Sequence, residues 1–269
     1  MTIYKALTIA GSDSGGGAGI QADLKTFQER DVFGMSVITV LTAQNTLGVH
    51  GVFPQSLQAI DAQLDAIFDD MNADAIKTGM LFSTEIIELV AAKLKQVKAQ
   101  NIVVDPVMIA KGGAPLLQKQ AMNALITKLL PLATVITPNI PEACEIIGIT
   151  KIETVEEMKE AAIQIQALGP KSVVLKGGHL EEQNEAIDVL FDGKSFEFYR
   201  SERIQTVHTH GTGCTFAAAI TAELAKGKTI HEAVSVAKQF IQAAIEAAVP
   251  IGKGIGPTSH SGLRKKIEK

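Results

Sequence analysis

Short apolar runs closed by glycine or a polar cluster recur along the chain, and between them lie stretches whose apolar residues return at helical spacing. Ala6 to Ala10, closed by Gly11, predicts a strand, and Ile20 to Phe27 predicts the helix that follows the glycine loop between them. Ser36 to Leu41 predicts a buried strand that delivers Thr42 to Thr46 at its end. Helical spacing over Leu57 to Asp70 and Thr84 to Lys98 flanks a strand within Ala73 to Met80. Asn101 to Met108, Ala133 to Ile140 and Lys171 to Lys176 read as further strands, and Pro141 suits the first turn of a helix. Val189-Leu190-Phe191 and Phe196-Glu197-Phe198 predict a hairpin turning on Asp192-Gly193. The run Ala217 to Ala225 predicts a helix, Thr229 to Ala247 a last amphipathic helix, and Gly252 to Pro257 a turn-rich closure. Alternation of strand and helix predicts an α/β fold with a mostly parallel sheet and helices on both faces. With no linker, repeat or low-complexity tract in sight, residues 1–269 are expected to form a single domain.

Candidate chemistry gathers where these strands end, because ligands of open α/β sheets sit at the carboxyl ends of strands. Gln44 and Asn45 could read a polar ring edge there, or cap a loop. Asp105 and Glu142 could hold a hydrated Mg²⁺ through one or two oxygens each, or serve as a turn residue and a helix-start charge. Lys176 could meet a phosphate as a point charge, or remain a solvated lysine. The chain is organised around His208-Thr209-His210-Gly211-Thr212-Gly213-Cys214-Thr215-Phe216, which opens a run of strong helix formers. The backbone N–H groups of Gly211 to Cys214 are expected to stand unpaired at that helix start as an anion site. The same helix start is expected to pull the Cys214 thiol below its ordinary pKa of about 8.5, into the range of about 6 to 8.5 beside a bound anion, making it a proton acceptor or nucleophile rather than a packing cysteine. The glycine loop Gly11 to Gly19 lets a ligand approach the backbone closely, yet it lacks both the dinucleotide spacing and the closing Gly-Lys-Ser/Thr of a Walker A loop. The one Gly-Lys-Ser, Gly193 to Ser195, falls in the predicted hairpin and is set aside.

Composition narrows the partners. A formal net charge of −4 with scattered Lys and Arg argues against a nucleic-acid surface. Hydrophobic residues make up 46%, but no run reaches the roughly 18 apolar residues of a membrane span. The first residues do not resemble a signal peptide, and two cysteines, Cys144 and Cys214, are sparse for a disulfide-bearing chain. A cytoplasmic protein acting on small molecules is expected.

Gly11-Ser-Asp-Ser-Gly-Gly-Gly-Ala-Gly-Ile-Gln-Ala-Asp23-Leu-Lys-Thr, Thr42-Ala-Gln-Asn-Thr46, Lys77-Thr-Gly-Met80, Asp105-Pro-Val-Met108, Thr137-Pro-Asn-Ile-Pro-Glu142, Lys176-Gly-Gly-His179 and His208-Thr-His-Gly-Thr-Gly-Cys214 occur in unbroken order. In this the chain resembles the bacterial hydroxymethylpyrimidine/phosphomethylpyrimidine kinases of thiamine synthesis, in the ribokinase-like superfamily. The resemblance implies a three-layer α/β/α kinase that uses ATP and Mg²⁺ to phosphorylate 4-amino-5-hydroxymethyl-2-methylpyrimidine and then its monophosphate, working as a homodimer. By position it implies that Gln44 bonds the aminopyrimidine, with Gly11, Ala18, Asp23, Met80 and Val107 lining the pocket. Asn139, Lys176 and Thr212 would serve ATP, Asp105 and Glu142 the metal, and Gly211, Thr212 and Gly213 the transferring phosphoryl group. Cys214 stands where most ribokinase-like enzymes have an Asp as general base. A pyridoxal/pyridoxine kinase is the nearest alternative, disfavoured by Ala110-Lys111-Gly112-Gly113, where similar pyridoxal kinases carry a second Cys in place of Ala110. A thiol hydrolase built on His210 and Cys214, or a ligand sensor with a decayed site, are the readings from other classes.

Overall fold

Successive side chains of the central strands enter opposite apolar layers, as expected of a sheet covered on both faces. Leu7, Ile9, Ile76, Ile102, Val104, Ile136, Val173 and Leu175 belong to one buried layer. Their neighbours Ala6, Ala75, Val103, Val135 and Val174 belong to the other. The computed structural model describes residues 2–109, 113, 116–118, 120–178, 180 and 185–268. Its strands are β1 (Lys5–Asp13), β2 (Phe33–Asn45), β3 (Gly48–Pro54), β4 (Ala75–Thr78), β5 (Ile102–Val104), β6 (Val135–Ile136), β7 (Ser172–Lys176), β8 (Glu185–Phe191) and β9 (Phe196–Glu202). They form one sheet in the order β3-β2-β1-β4-β5-β6-β7-β8-β9. Pairing is parallel from β2 to β7 and antiparallel for β3, β8 and β9 at the edges.

The helices are α1 (Gly19–Glu29), α2 (Leu57–Ala66), α3 (Thr84–Gln96), α4 (Ala121–Ala124), α5 (Ile140–Ile147), α6 (Val155–Gln166), α7 (Thr212–Ala225), α8 (Ile230–Glu246) and α9 (Gly262–Ile267). Residues of α2 to α6 fill the first layer, while α1, α7 and α8 fill the second. Capping boxes start α5, α6 and α8, where Asn139, Thr154 and Thr229 exchange bonds with Glu142, Glu157 and Glu232. Helix α7 is buried on every side from Thr215 to Ala225, which its run of Ala and other small residues permits.

The three-layer arrangement is the predicted one, and the Asp192-Gly193 hairpin joins β8 to β9 with Gly193 at φ 89°. Three details differ. Strand β2 continues through Asn45 and pairs with the unanticipated β3, so Gln44 lies within a two-stranded ribbon instead of a loop beyond a strand end. The helix expected to reach Asp70 widens into a π turn over Ile67–Met71. Helix α9 follows the helix expected to be last. Among the described residues no helix is long and apolar enough to cross a membrane, and Cys144 and Cys214 are both free thiols.

Candidate active site

The chain leaves β1 for β2 on one side and returns to β4 on the other, so the strand order reverses at the carboxyl ends of β1 and β4. A crevice forms at such a point in open α/β sheets. Gly11 and Asp13 end β1, Met80 follows β4, Asp105 and Val107 follow β5, Asn139 follows β6 and Lys176 ends β7. The start of α7 lies over them: a Cβ built on Gly213 would stand 3.4 Å from Lys176 Nζ.

Gly211 is the N-cap of α7 at φ 80°, and a Cβ there would lie 1.7 Å from the Gly17 carbonyl oxygen. Only glycine allows this approach of two loops far apart in sequence. Thr212 is engaged locally, its N–H donating to the Thr209 carbonyl at 3.4 Å and its hydroxyl to the same oxygen at 2.7 Å. Among the described residues no acceptor within the protein pairs the N–H of Gly213 or Cys214. These remain as the anion-binding donors expected at a helix start.

The glycine loop closes around the protein's own anion. Asp13 Oδ1 accepts the Gly15 N–H at 2.8 Å, while Oδ2 accepts the N–H groups of Gly17 at 3.0 Å and Ala18 at 2.9 Å. His210 Nε2 lies 2.8 Å from the same Oδ2. Burial would raise the Asp13 pKa, but the His210 bond and the loop N–H groups outweigh it and hold the carboxyl below its ordinary value. This loop therefore spends its donors on Asp13, a role that the Asp-Ser-Gly-Gly-Gly run could have suggested. Gln44 is half-buried beside this cluster, its Nε2 lying 3.4 Å from His210 Nε2 and its Oε1 3.2 Å from Thr42 Oγ1. Thr42 Oγ1 also donates to the Ser12 carbonyl at 2.9 Å. Gly11 and Met80 share the adjoining wall, since a Cβ on Gly11 would meet Met80 Sδ at 3.2 Å.

Beneath the crevice lies a buried array of charge. Lys77, whose place in the sequence suggests no role, is fully buried, with Nζ 3.0 Å from Asp23 Oδ2 and 4.0 Å from Asp105 Oδ2. Asp23 Oδ2 also accepts the Thr8 hydroxyl at 2.6 Å. Expected on the pocket wall, Asp23 is wholly buried; its Oδ2 is spent on Thr8 and Lys77, and its Oδ1 has no hydrogen-bond partner. Asp105 Oδ1 takes Lys176 Nζ and the Thr137 hydroxyl, each at 3.3 Å. Burial works against the Lys176 charge, but Asp105 and Glu142 outweigh it and raise its pKa.

Glu142 is the helix-start charge of α5: its Oε2 accepts the Asn139 N–H and its own N–H donates to Asn139 Oδ1, both at 2.8 Å. Burial raises its pKa to about 7, reinforced by Asp105 and opposed by Lys176 and the Asn139 N–H. Asp105 Oδ2 is buried without a hydrogen-bond partner. An orphaned carboxylate oxygen beside a desolvated second acid fits a Mg²⁺ that takes one or two protein oxygens and completes its shell with water and phosphate. Among the described residues no three or more His, Cys, Asp and Glu converge as an all-protein metal site.

Cys214 reverses an expectation. Burial pushes its thiol up to about 12; Lys77 and the Gly19 N–H lower it, but Asp105 and Asp23 add to the burial. The helix start is too weak to offset desolvation among these carboxylates. His210 turns to Asp13 and Gln44 instead of forming the Cys-His pair that a thiol hydrolase would need. Ala110, Lys111 and Gly112, invoked against a pyridoxal kinase, lie outside the described residues, as does His179.

An open sheet whose strand ends bring a lysine and two acids beneath a glycine-opened helix start defines a small-molecule kinase of the α/β class. The phosphomethylpyrimidine kinase family model matches residues 13–259, and the chain belongs to that family. It is 53% identical over 265 residues to the hydroxymethylpyrimidine/phosphomethylpyrimidine kinase of Bacillus subtilis (strain 168), covering 98% of this chain and 97% of that one. To the pyridoxine kinase of the same organism it is 52% identical over 266 residues, covering 98% of each. The crystal structure of an ADP complex of Bacillus subtilis pyridoxal kinase superimposes with a TM-score of 0.91 at 50% identity, covering 98% of this chain and all of that one.

Proposed function

We propose that this chain transfers the γ-phosphoryl group of ATP to the hydroxymethyl oxygen of 4-amino-5-hydroxymethyl-2-methylpyrimidine, and then a second phosphoryl group to the monophosphate. The observation that carries the reading is the unpaired N–H pair of Gly213 and Cys214 beside Lys176, a preorganised site for the charge of a phosphoryl group in transfer. Gly11, Ala18, Met80 and Val107 form the wall that receives the ring, Gln44 meets its polar edge, and Asn139, Thr212 and Lys176 meet the nucleotide. Asp105 and Glu142 would hold Mg²⁺ partly through water, and the ion would supply positive charge to the phosphate oxygens. Cys214 faces the attacking oxygen as a thiol: the hydroxyl proton passes to sulfur as the sulfur's own proton passes to a phosphoryl oxygen. With a loose transition state, positioning by Gly211 to Cys214 contributes more than this relay. Residues 1–269 act as one kinase domain in a cytoplasmic homodimer, and nucleic acid and membrane have no part in the reaction.

Incubation with ATP, Mg²⁺ and the pyrimidine alcohol, followed by mass spectrometry, should show mono- and then diphosphate. Absence of both overturns the reading. The identity to a pyridoxine kinase supports pyridoxine or pyridoxal as a second substrate, and the same assay with those alcohols decides between them.

A further inference from the structure

Asp13, which is buried, and His210, which is half-buried, form a dyad that phosphoryl transfer does not use. We propose that His210, held by Asp13 with a proton on Nε2, fixes the Gln44 amide with its oxygen on His210 and its nitrogen on Thr42, and so sets the order of donor and acceptor that Gln44 offers a substrate ring.

The His210 contact excludes the other orientation, and the shorter of the two Thr42 bonds agrees with it. The Asp13 carboxylate already accepts the Gly15, Gly17 and Ala18 N–H groups, and an ionised carboxylate can only accept. The ring nitrogen 2.8 Å from its Oδ2 must therefore carry a proton. A protonated ring nitrogen cannot accept from an amide N–H, so Gln44 Nε2, 3.4 Å away, faces a second donor. On the other side, Thr42 has one hydroxyl proton, and the Ser12 carbonyl 2.9 Å away can only accept it. The Thr42 oxygen, 3.2 Å from Gln44, is left with lone pairs alone and requires a donor. Turning the amide through a half circle exchanges its nitrogen and oxygen and satisfies both neighbours. The ring nitrogen then shares its proton between Asp13 and Gln44 Oε1, and Gln44 Nε2 donates to Thr42.

One amide N–H and one oxygen lone pair stay free, in a fixed order. A ring that pairs an acceptor nitrogen with an adjacent amino donor matches that order in one register only. A ring with a carbonyl in place of the amino group sets two acceptors face to face. Gln44 cannot turn to receive it without breaking its bonds to His210 and Thr42. Specificity for an amino-bearing ring thus comes from the dyad that holds the amide as well as from the amide itself.

This inference rests on the proposed function only for the identity of the ring, so its test has two arms. In the substrate-free full-length protein, the imidazole nitrogen shifts of His210 should show a proton on Nε2, and nuclear Overhauser contacts should place the Gln44 amide protons on the Thr42 methyl. A ring protonated on Nδ1 alone, or amide protons lying on the His210 ring, would overturn the proposal even if the protein phosphorylates no pyrimidine. In the second arm, kcat/KM is compared for the 4-amino alcohol and its 4-oxo analogue. His210→Ala should lower the amino-to-oxo ratio by roughly ten- to a hundred-fold, chiefly through gain on the oxo compound. A purely structural role would depress both substrates together, and an unchanged ratio overturns the proposal. Should His210→Ala fail to fold, Thr42→Val, which removes the acceptor on the other side, gives the same ratio test.

Discussion

The Cys214 thiol is half-buried beside Asp23, Asp105 and Lys77, and desolvation there keeps its proton on well above neutral pH in the substrate-free protein. Its alkylation by iodoacetamide should accordingly be slow and should rise about tenfold per pH unit between about pH 7 and 9, because only the thiolate reacts. A plateau near neutrality would restore the low pKa that the helix start predicts. Cys214→Ala should lower kcat by roughly 10²–10⁴-fold, whereas Cys214→Ser keeps a relaying hydroxyl and should lose less. Equal losses would end the relay. Glu142 carries a second consequence of burial. Its folded pKa of about 7 lies above the ordinary 4.5, so the stability it contributes is present below the lower value and is lost as pH rises through the upper one. Between about pH 5 and 8 the ligand-free protein should lose on the order of 2 kcal/mol through this group, and Glu142→Gln should abolish that loss. The same variant should need several-fold more Mg²⁺ for half its maximal rate. A magnesium titration unchanged from that of the unsubstituted protein would leave Glu142 as a helix cap alone.

Helix α7 meets the glycine loop through Gly211, whose missing Cβ leaves room for the Gly17 carbonyl. Gly211→Ala should destabilise the fold by about 3 kcal/mol or more, since it combines a left-handed backbone with an overlap that neither loop can absorb locally. An unchanged denaturation midpoint would mean that the two loops part without loss. The strands and most helices could be read from the chain because buried parallel strands are continuously apolar and their helices carry clear caps and periodicity. Strand β3 leaves no pattern in the sequence because its residues are at least partly exposed and therefore show no alternation. Glycine turns and strand-end acids marked the place of the site, and Gly213 and Lys176 do meet there. What composition and spacing could not convey was partnership: the residue that holds Asp13 lies 197 positions away, and the Cys214 pKa depends on carboxylates delivered by α1 and β5. Desolvation is a property of the packed molecule, so neither effect leaves a local trace.

At the ribbon edge of the sheet, Leu41 and Phe53 stand opposite each other across β2 and β3, 43% and 59% exposed. An apolar pair on an exposed edge strand suits association of two copies. Light scattering should give the mass of a dimer for the unsubstituted protein and about half of it for Phe53→Glu. A Phe53→Glu variant that stays dimeric would place the interface elsewhere. The ribbon tip is also tied to the far end of the chain, where the Ile255 N–H donates to the Thr46 carbonyl at 2.9 Å. Nearby, the His210 N–H donates to the Gly256 carbonyl and the Thr258 N–H to that of His210, each at 3.1 Å. During synthesis on a ribosome, β1, β2 and β4 emerge early and can begin to pair, but the segment that seats His210 and the ribbon tip leaves the exit tunnel long after them. A nascent chain therefore holds a growing sheet long before it holds a working pocket, and an unfinished copy released early would neither bind nor consume substrate.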